Sequence, residues 1–313
     1  MTQQRRTIPT GVLTPIVTAL TPDQELDVRS HQAVLAHQLD AGVNAVFVAG
    51  TTGEGAFMTP PLAAKLTEVT IDFIAGQVPV LVGALAPGTA GAIESARAAE
   101  AAGADAAVVT TPFYGPVSDA ELAAHFRSAA KAVDLPLLAY SIPSMTHLPI
   151  PVSVLEELFA DSVVAGFKDS GNDWSTLAAA IELGKRHGKN VYAGYEPFAA
   201  RAMEQGAAGL VASFCNVDPK LVVSLYQSGS ARSAESGSEA DLAQSRLVDL
   251  IDRFASLTSG DIGPTSALVG GIKAALVMMG QLRSGSVLPP LVALPERLTP
   301  IIRAHLQATG ISA

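Results

Sequence analysis

Eight short apolar segments, each bounded by turn residues, constrain the fold of this chain more than any other feature of its sequence. Each is four to seven residues long, and most show little alternation between polar and apolar positions. Segments of this kind are typical of strands that are buried on both faces of a parallel sheet. They span residues 11–17, 44–49, 78–83, 105–110, 136–140, 163–167, 190–193 and 209–213.

Longer segments with helical spacing separate these strands, most clearly residues 92–102 and 120–133. Alternating strands and helices predict an α/β protein with a parallel sheet. Eight such units in sequence favour a closed (β/α)8 barrel, the TIM barrel, over an open doubly wound sheet. An open dinucleotide-binding sheet would also carry a Gly-x-Gly-x-x-Gly turn after its first strand, and this sequence has none there.

The C-terminal part of the chain departs from this alternation. We predict a barrel domain over residues 1–225 and a helical extension, packed on the barrel, over residues 226–313. The Ser-, Ala- and Gly-rich segment 228–245 indicates an exposed loop or the polar edge of a helix, because apolar helical spacing resumes at Leu247. Additional helices are predicted at residues 249–257, 266–279 and 295–307.

Composition and charge exclude several classes of protein. Hydrophobic residues make up 49% of the 313 residues and charged residues 16%, which excludes a largely disordered chain. With 20 basic and 29 acidic residues the net charge is −9, so a broad surface for nucleic acid or anionic membranes is not expected. No apolar run of about 18 residues occurs, and none follows residues 1–6, so neither a membrane span nor a signal peptide is predicted.

Disulfide and metal chemistry find little support in the sequence. Cys215 is the only cysteine, so neither an internal disulfide nor a cysteine-based zinc site can form. The six histidines do not occur in the pairs with neighbouring carboxylates that typify metal ligands. We therefore expect no metal and no other cofactor, and the reducing cytoplasm as the compartment.

Functional side chains of such a barrel lie at the C-terminal ends of its strands. The second predicted strand ends in Gly-Thr-Thr-Gly-Glu-Gly at residues 50–55. Glycines let a ligand approach the backbone, and successive N–H groups, with the hydroxyls of Thr51 and Thr52, can bind a carboxylate or a phosphate. The same residues also fit an ordinary strand-to-helix turn in which a threonine caps the helix.

The fifth and sixth strands end in two further reactive side chains. Lys168 closes the apolar sixth strand, and lysine is seldom buried unless it is paired or used. An amine shielded from water is a nucleophile towards carbonyl groups, although the side chain can also extend to solvent. Tyr140, at the end of the fifth strand, would lie beside it as a proton carrier or as a core tyrosine with a satisfied hydroxyl.

Taken in order, these motifs resemble the dihydrodipicolinate synthase and N-acetylneuraminate lyase family. The matching stretches are Gly-Thr-Thr-Gly-Glu after strand two, Tyr-x-x-Pro after strand five and Gly-x-Lys-Asp-Ser after strand six. Gly-Val-Leu-Thr-Pro at residues 11–15 and Thr-Pro-Phe-Tyr-x-Pro at residues 111–116 agree as well. The resemblance extends over about residues 10–220 and implies a (β/α)8 barrel that assembles as a homotetramer or homodimer.

The resemblance implies catalytic and binding roles at two of these strand ends. Lys168 would form a Schiff base with pyruvate or with a 2-keto acid that contains it. Thr51, Thr52 and Gly53 would hold the carboxylate of that acid, and we count Thr52 with Lys168 among the catalytic residues.

The resemblance also implies a proton relay and a set of partners. Tyr140 would carry the proton, and Tyr114 would support it, in many relatives from a neighbouring subunit. The partners would be a 2-keto acid such as pyruvate and an aldehyde; charge and hydropathy already predict no nucleic acid and no membrane.

Departures from the family pattern narrow the substrate. Synthases that condense pyruvate with aspartate semialdehyde usually carry an arginine shortly after Tyr-x-x-Pro, whereas this chain has Met145, which cannot pair with a carboxylate. Gly194 and Glu196 belong to a stretch that resembles the Gly-Tyr-Asp-Glu of sialic acid lyases, which hold sugar hydroxyls there, although Pro197 replaces the second acid. Ser213 also matches a lyase serine. Glu196 fits equally an acid that stabilises a helix N-terminus.

We therefore predict a pyruvate-dependent class I aldolase or lyase that cleaves or forms a 2-keto-3-deoxy sugar acid through a lysine Schiff base. The alternatives within the family are a 4-hydroxy-tetrahydrodipicolinate synthase and a Schiff-base dehydratase or deaminase. Outside the enzymes, the alternative is a keto-acid binding protein, because a fold does not determine a function. The complete set of Lys168, Tyr140 and the two threonines favours an enzyme.

Overall fold

A computed structural model describes residues 8–231 and 234–312 of the chain. Eight parallel strands form one closed barrel in chain order, with β8 paired to β1, which confirms the predicted (β/α)8 barrel. The strands are Gly11–Pro15 (β1), Ala45–Val48 (β2), Val80–Ala84 (β3), Ala106–Thr110 (β4), Leu137–Ser141 (β5), Gly166–Asp169 (β6), Asn190–Ala193 (β7) and Gly209–Leu210 (β8).

Helices connect successive strands and form the outer layer of the barrel. Those between β1 and β8 are Val28–Asp40 (α1), Pro60–Ile74 (α2), Thr89–Ala102 (α3), Asp119–Ala132 (α4), Pro143–Thr146 (α5), Val152–Ala160 (α6), Trp174–His187 (α7) and Ala199–Gln205 (α8). Those after β8 are Pro219–Ala231 (α9), Ala234–Ala255 (α10), Pro264–Met278 (α11) and Thr299–Ala308 (α12).

Both faces of the strands are buried, which explains why the strand sequences are almost continuously apolar. Alternate side chains such as Leu13, Phe47 and Leu138 form a core inside the barrel. Their neighbours, such as Val46 and Phe167, form a second core between the strands and the helices. A period of two therefore decides which side chain of each strand enters the barrel.

The N-terminal end of the barrel is closed by the segment that precedes β1. Ile8 is buried with the inner core. The Nδ2 group of Asn190 donates a hydrogen bond to the carbonyl of Ile8 at 2.9 Å, and the Tyr192 hydroxyl donates one to the carbonyl of Pro9 at 2.8 Å. Polar chemistry is thereby left to the opposite end, where the strands finish.

The eighth strand is shorter than the sequence predicts. The apolar run extends to residue 213, but β8 ends at Leu210, and Ser213–Asn216 form a short 3-10 helix. The carboxylate of Glu196 accepts hydrogen bonds from the backbone N–H groups of Ser213 and Phe214, so these groups are not available to continue a strand.

The C-terminal helices are present as predicted, with different bounds. Helix α10 begins well before residue 249, and α12 begins only at Thr299, after a 3-10 turn at Glu296–Leu298. The Ser-rich segment 228–245 is helical where it is described, although its residues 232–233 lie outside the described part.

The division of the chain at residue 225 stays a prediction, and α9 runs across that position. Helix α9 contacts β1, β8 and α8. Among the described residues, no helix is both long and apolar enough to cross a membrane. The prediction that no signal peptide is present concerns the first residues of the chain, and residues 1–7 lie outside the described part.

Closure of the barrel predicts one sensitive glycine. A Cβ atom on Gly209 would overlap the carbonyl oxygen of Gly11, its partner across the β1–β8 seam. We expect Gly209→Ala to lower the free energy of unfolding by roughly 1–3 kcal/mol, because the backbones must move apart. Gly285→Ala is the matched control, since a Cβ atom there meets nothing within 4 Å, and we expect a change within about 0.5 kcal/mol. Equal stabilities of the two variants in urea unfolding would contradict this account of the seam.

Candidate active site

The C-terminal end of the barrel places Lys168 inside the inner core. Phe167 faces the helices, so Lys168, the next residue of β6, faces inward, and it is 4% exposed. Its Nζ atom lies 3.8 Å from the centroid of the Tyr140 ring and 5.2 Å from that of the Phe47 ring. Tyr140 is the register partner of Lys168 on β5. The structure therefore brings the predicted amine and the predicted phenol together.

Gly194 provides the space that the Lys168 side chain occupies. A Cβ atom at position 194 would lie 2.8 Å from Cε of Lys168 and would overlap Oγ of Ser170. The N–H of Gly194 donates to the carbonyl of Asp169 at 2.7 Å, which keeps the end of β7 close to β6. The predicted binding residue Gly194 is thus packed directly against the amine.

The turn after β2 is fixed tightly against its surroundings. A Cβ atom on Gly53 would lie 2.7 Å from the carbonyl oxygen of Ile16, and the Thr18 hydroxyl donates to the carbonyl of Gly53 at 2.7 Å. Ala49 and Glu54, on either side of the turn, have positive φ angles of 52° and 64°. Such angles disfavour residues with a Cβ atom by about 1–2 kcal/mol each, so contacts elsewhere must maintain this conformation.

The same turn carries hydrogen-bond donors and contacts Tyr140, the residue whose ring packs against the amine. Among the described residues, none accepts a hydrogen bond from the N–H groups of Thr51, Thr52 or Gly53. The hydroxyl of Thr51 lies 3.3 Å from the hydroxyl of Tyr140, within hydrogen-bond distance. Tyr140 therefore connects the donors of the turn with Lys168.

Glu196 and Ser213 come together near enough to Lys168 for its charge to act on the Glu196 carboxylate. One oxygen of Glu196 accepts hydrogen bonds from the N–H and hydroxyl groups of Ser213, the latter at 2.7 Å, and from the N–H of Phe214 at 3.2 Å. Burial raises the pKa of Glu196, and these donors and the charge of Lys168 oppose that shift. The second oxygen of Glu196 accepts no hydrogen bond from any described residue.

Tyr114 is not brought to this site within one chain. It lies in the loop between β4 and α4 and is 90% exposed. No hydrogen bond or ring contact joins it to Tyr140 among the described residues. Its support of the proton relay stays a prediction.

Sequence reasoning missed a buried ion pair behind the turn. Glu54 pairs with Lys273 of α11, and neither side chain has any exposed surface. Burial lowers the pKa of the Lys273 ammonium, and the Glu54 carboxylate opposes that shift. The signal was a lysine in an otherwise apolar stretch of sequence, residues 267–279.

A second missed group is Asp169, which follows the amine on β6. Its Oδ1 atom accepts the N–H of Gly171 at 2.9 Å, while Oδ2 is buried without a partner among the described residues. Burial raises its pKa to about 6. The sequence alone could not show that this acid is enclosed.

The arrangement is suited to a carbonyl compound that carries a carboxylate. A buried primary amine can add to the carbonyl, a phenol can move the proton, and N–H donors can hold the acid. Within residues 8–231 and 234–312, no group of three or more His, Cys, Asp or Glu side chains could hold a metal ion.

Comparison with known proteins agrees with this geometry over nearly the whole chain. The model of the dihydrodipicolinate synthetase family matches residues 8–309. An uncharacterised DapA-like lyase of Halobacterium salinarum is 33% identical over 302 residues, which cover 96% of this chain and 94% of the relative. A 4-hydroxy-tetrahydrodipicolinate synthase of Exiguobacterium sibiricum is 33% identical over 286 residues, which cover 91% of this chain and 93% of the relative.

A solved structure shows the same architecture. YagE, a prophage protein of the dihydrodipicolinic acid synthase family from E. coli K12, was solved in complex with pyruvate. Its TM-score with this chain is 0.89 at 27% identity, and the match covers 96% of this chain and 99% of YagE. The resemblance inferred from the motifs is thereby confirmed: this chain belongs to the dihydrodipicolinate synthetase family and is a lyase.

Proposed function

We propose that this chain is a pyruvate-dependent class I aldolase that cleaves or forms a 2-keto-3-deoxy sugar acid through a Schiff base on Lys168. The observation that carries the proposal is the environment of that amine. It is buried at the C-terminal end of β6, against the Tyr140 ring, whose hydroxyl reaches Thr51 at 3.3 Å. Pyruvate bound to YagE supports a keto acid as the ligand here.

Cleavage begins when the uncharged Nζ of Lys168 adds to the C2 carbonyl of the keto acid. The carbinolamine loses its oxygen as water and leaves a protonated imine, which can accept an electron pair. Removal of the proton from the C4 hydroxyl breaks the C3–C4 bond, so that an aldehyde departs and the enamine of pyruvate remains. Protonation at C3 and hydrolysis of the imine release pyruvate and restore the amine, and condensation is the reverse.

Two groups serve the amine in this scheme. Tyr140 moves the protons, since its ring packs against the amine and its hydroxyl can exchange a proton along the hydrogen bond with Thr51. The N–H groups of Thr51, Thr52 and Gly53 hold the carboxylate, which orients the carbonyl towards Lys168. Fixed donors of this kind lose little freedom when the substrate binds.

The part of the substrate beyond C3 is proposed to carry hydroxyl groups. Met145 lies in α5, and residues 140–150 contain neither arginine nor lysine, so this loop offers no guanidinium or ammonium to a second carboxylate. The second oxygen of Glu196, which accepts no hydrogen bond from a described residue, is instead an acceptor suited to a sugar hydroxyl. The synthase reaction named for several relatives is the alternative that the assays below distinguish.

Trapping with borohydride tests the Schiff base. We expect pyruvate and borohydride to leave a reduced pyruvyl adduct on Lys168, found by peptide mass mapping. Lys168→Met should abolish the adduct and lower turnover by at least about 10³-fold, because the nucleophile is lost. Lys220→Met, at an exposed position of α9, is the control and should retain both. Absence of an adduct on folded wild-type protein would remove the imine mechanism and favour a keto-acid binding protein.

Competing assays test the substrate class. We expect pyruvate release from 2-keto-3-deoxygluconate or N-acetylneuraminate with a kcat/KM at least about tenfold above that for condensation of pyruvate with aspartate semialdehyde, because Met145 cannot form the ion pair with that substrate's carboxylate. Efficient condensation with no pyruvate release from either sugar acid would identify the synthase instead.

Glu196→Gln tests the proposed hydroxyl contact. The amide keeps the volume of Glu196 but loses its charge, and hydrogen bonds to charged groups are the stronger ones. We expect KM for the sugar acid to rise by about tenfold, with pyruvate trapping on Lys168 unchanged. Glu204→Gln, on the exposed surface of α8, should change neither value. A fall in pyruvate trapping in Glu196→Gln would show that Glu196 serves the amine rather than the sugar.

A further inference from the structure

We infer that the buried Glu54–Lys273 pair is a positioning element for the substrate carboxylate: it ties the turn Thr51–Gly53 to helix α11, so that the C-terminal helices help to set the affinity of that subsite. The inference rests on the proposed function, from which it takes a keto-acid carboxylate as the ligand of the turn.

Glu54 follows the three proposed carboxylate donors directly, in a conformation that glycine would adopt with less strain. Its φ angle is 64°, a value that glycine reaches readily. The chain nevertheless has an acid here and buries its side chain completely. A strained residue persists where its surroundings hold it, and in Glu54 the side chain supplies those contacts.

The contacts of Glu54 come from the region after the barrel. Lys273 of α11 pairs with its carboxylate, and the N–H of Leu288 donates to Oε2 at 2.5 Å. The ammonium of Lys273 is itself held by the carbonyl of Ser286 at 2.7 Å. Helix α11 and the segment 286–288 therefore bind the Glu54 side chain through an ion pair and a hydrogen bond, both shielded from water.

The other edge of the turn is held by the barrel. The Thr18 hydroxyl donates to the carbonyl of Gly53, and Gly53 lies against the carbonyl of Ile16 at the end of β1. The turn that carries the donors of Thr51 and Thr52 is thus fixed at one edge by the segment after β1 and at the other by α11. Release of the anchor on α11 leaves the barrel and the amine in place but lets the donors move, which weakens binding of a carboxylate.

In this geometry the turn binds the carboxylate of the substrate and Lys168 binds its carbonyl, so the two contacts can be tested separately. Pyruvate uses both the turn and Lys168. Acetone presents a carbonyl of similar size with no carboxylate, so its imine with Lys168 does not use the carboxylate donors of the turn. The ratio of the two half-saturating concentrations in borohydride trapping reports the turn alone.

Two double variants without any buried charge provide the test. Glu54→Gly with Lys273→Met removes the anchor, and glycine suits the φ angle at position 54. Glu54→Gln with Lys273→Met keeps an acceptor for the N–H of Leu288 in the original volume. We expect half-saturation by pyruvate to rise at least about tenfold in the first, which loses every contact of the Glu54 side chain, and by about threefold in the second, which loses the tie to α11 and keeps that to Leu288. Trapping of acetone should stay within about twofold in both.

Arg283→Gln is the control for a general loosening of the C-terminal segment. Arg283 also joins this segment to the barrel, through the side chain of Asp27 at the start of α1, and not through the turn. We expect no change in pyruvate trapping for this variant. Thermal melting confirms that each protein is folded. If the glycine variant does not fold, Lys273→Met alone takes its place, and we expect it to raise the half-saturating concentration of pyruvate at least about threefold.

The outcomes distinguish this inference from the proposal on which it rests. The positioning role would be overturned if the folded glycine variant and wild type were half-saturated at the same pyruvate concentration. The same holds for folded Lys273→Met, if that variant has to replace the glycine variant. Either result would leave the Schiff base intact. A parallel loss of acetone trapping would also overturn the positioning role, because the amine rather than the turn would be affected. Absence of any adduct on wild-type protein would contradict the proposed function itself.

Discussion

Closure of the barrel between β8 and β1 is the constraint on which the rest of the structure depends. At this seam Gly209 approaches the backbone of Gly11 so closely that a side chain on Gly209 would overlap the Gly11 carbonyl oxygen. Closure turns eight separate strand ends into one ring. Side chains from β2, β5, β6 and β7 then meet at its centre, and Phe47, Tyr140 and Lys168 come into contact although more than a hundred residues separate the first from the last.

The period of two along each strand decides what enters that ring. Phe167 packs towards the helices, and its neighbour Lys168 therefore points into the barrel. Gly194, directly after the adjacent strand β7, leaves the volume that the aliphatic part of the lysine side chain fills. The Lys168 amine packs against the rings of Phe47 and Tyr140, and its side chain fills the space that Gly194 leaves open. Its position therefore follows from packing.

The C-terminal helices contribute a charge pair that packing energy alone does not explain. Burying two charges removes their hydration, and a pair of apolar residues of similar size often stabilises a fold equally well. Glu54 and Lys273 are nevertheless buried completely, at the point where α11 meets the turn after β2. Such a pair gives the two elements a defined relative position, because any displacement would leave a charge unpaired.

The sequence by itself determined the class of fold and predicted most residues of the candidate site. Apolar runs with helical segments between them predict the barrel, because parallel strands buried on both faces need no polar face. Lys168, Tyr140 and the two threonines lie at strand ends, which any closed barrel brings together. Only the tertiary structure decided that Ser213 leaves the strand to bind Glu196, that Tyr114 is left exposed within one chain, and that Lys273 reaches Glu54. These contacts join residues far apart in the chain. The local secondary-structure propensity of a residue does not indicate which distant partner will pair with its buried charge or its free N–H group.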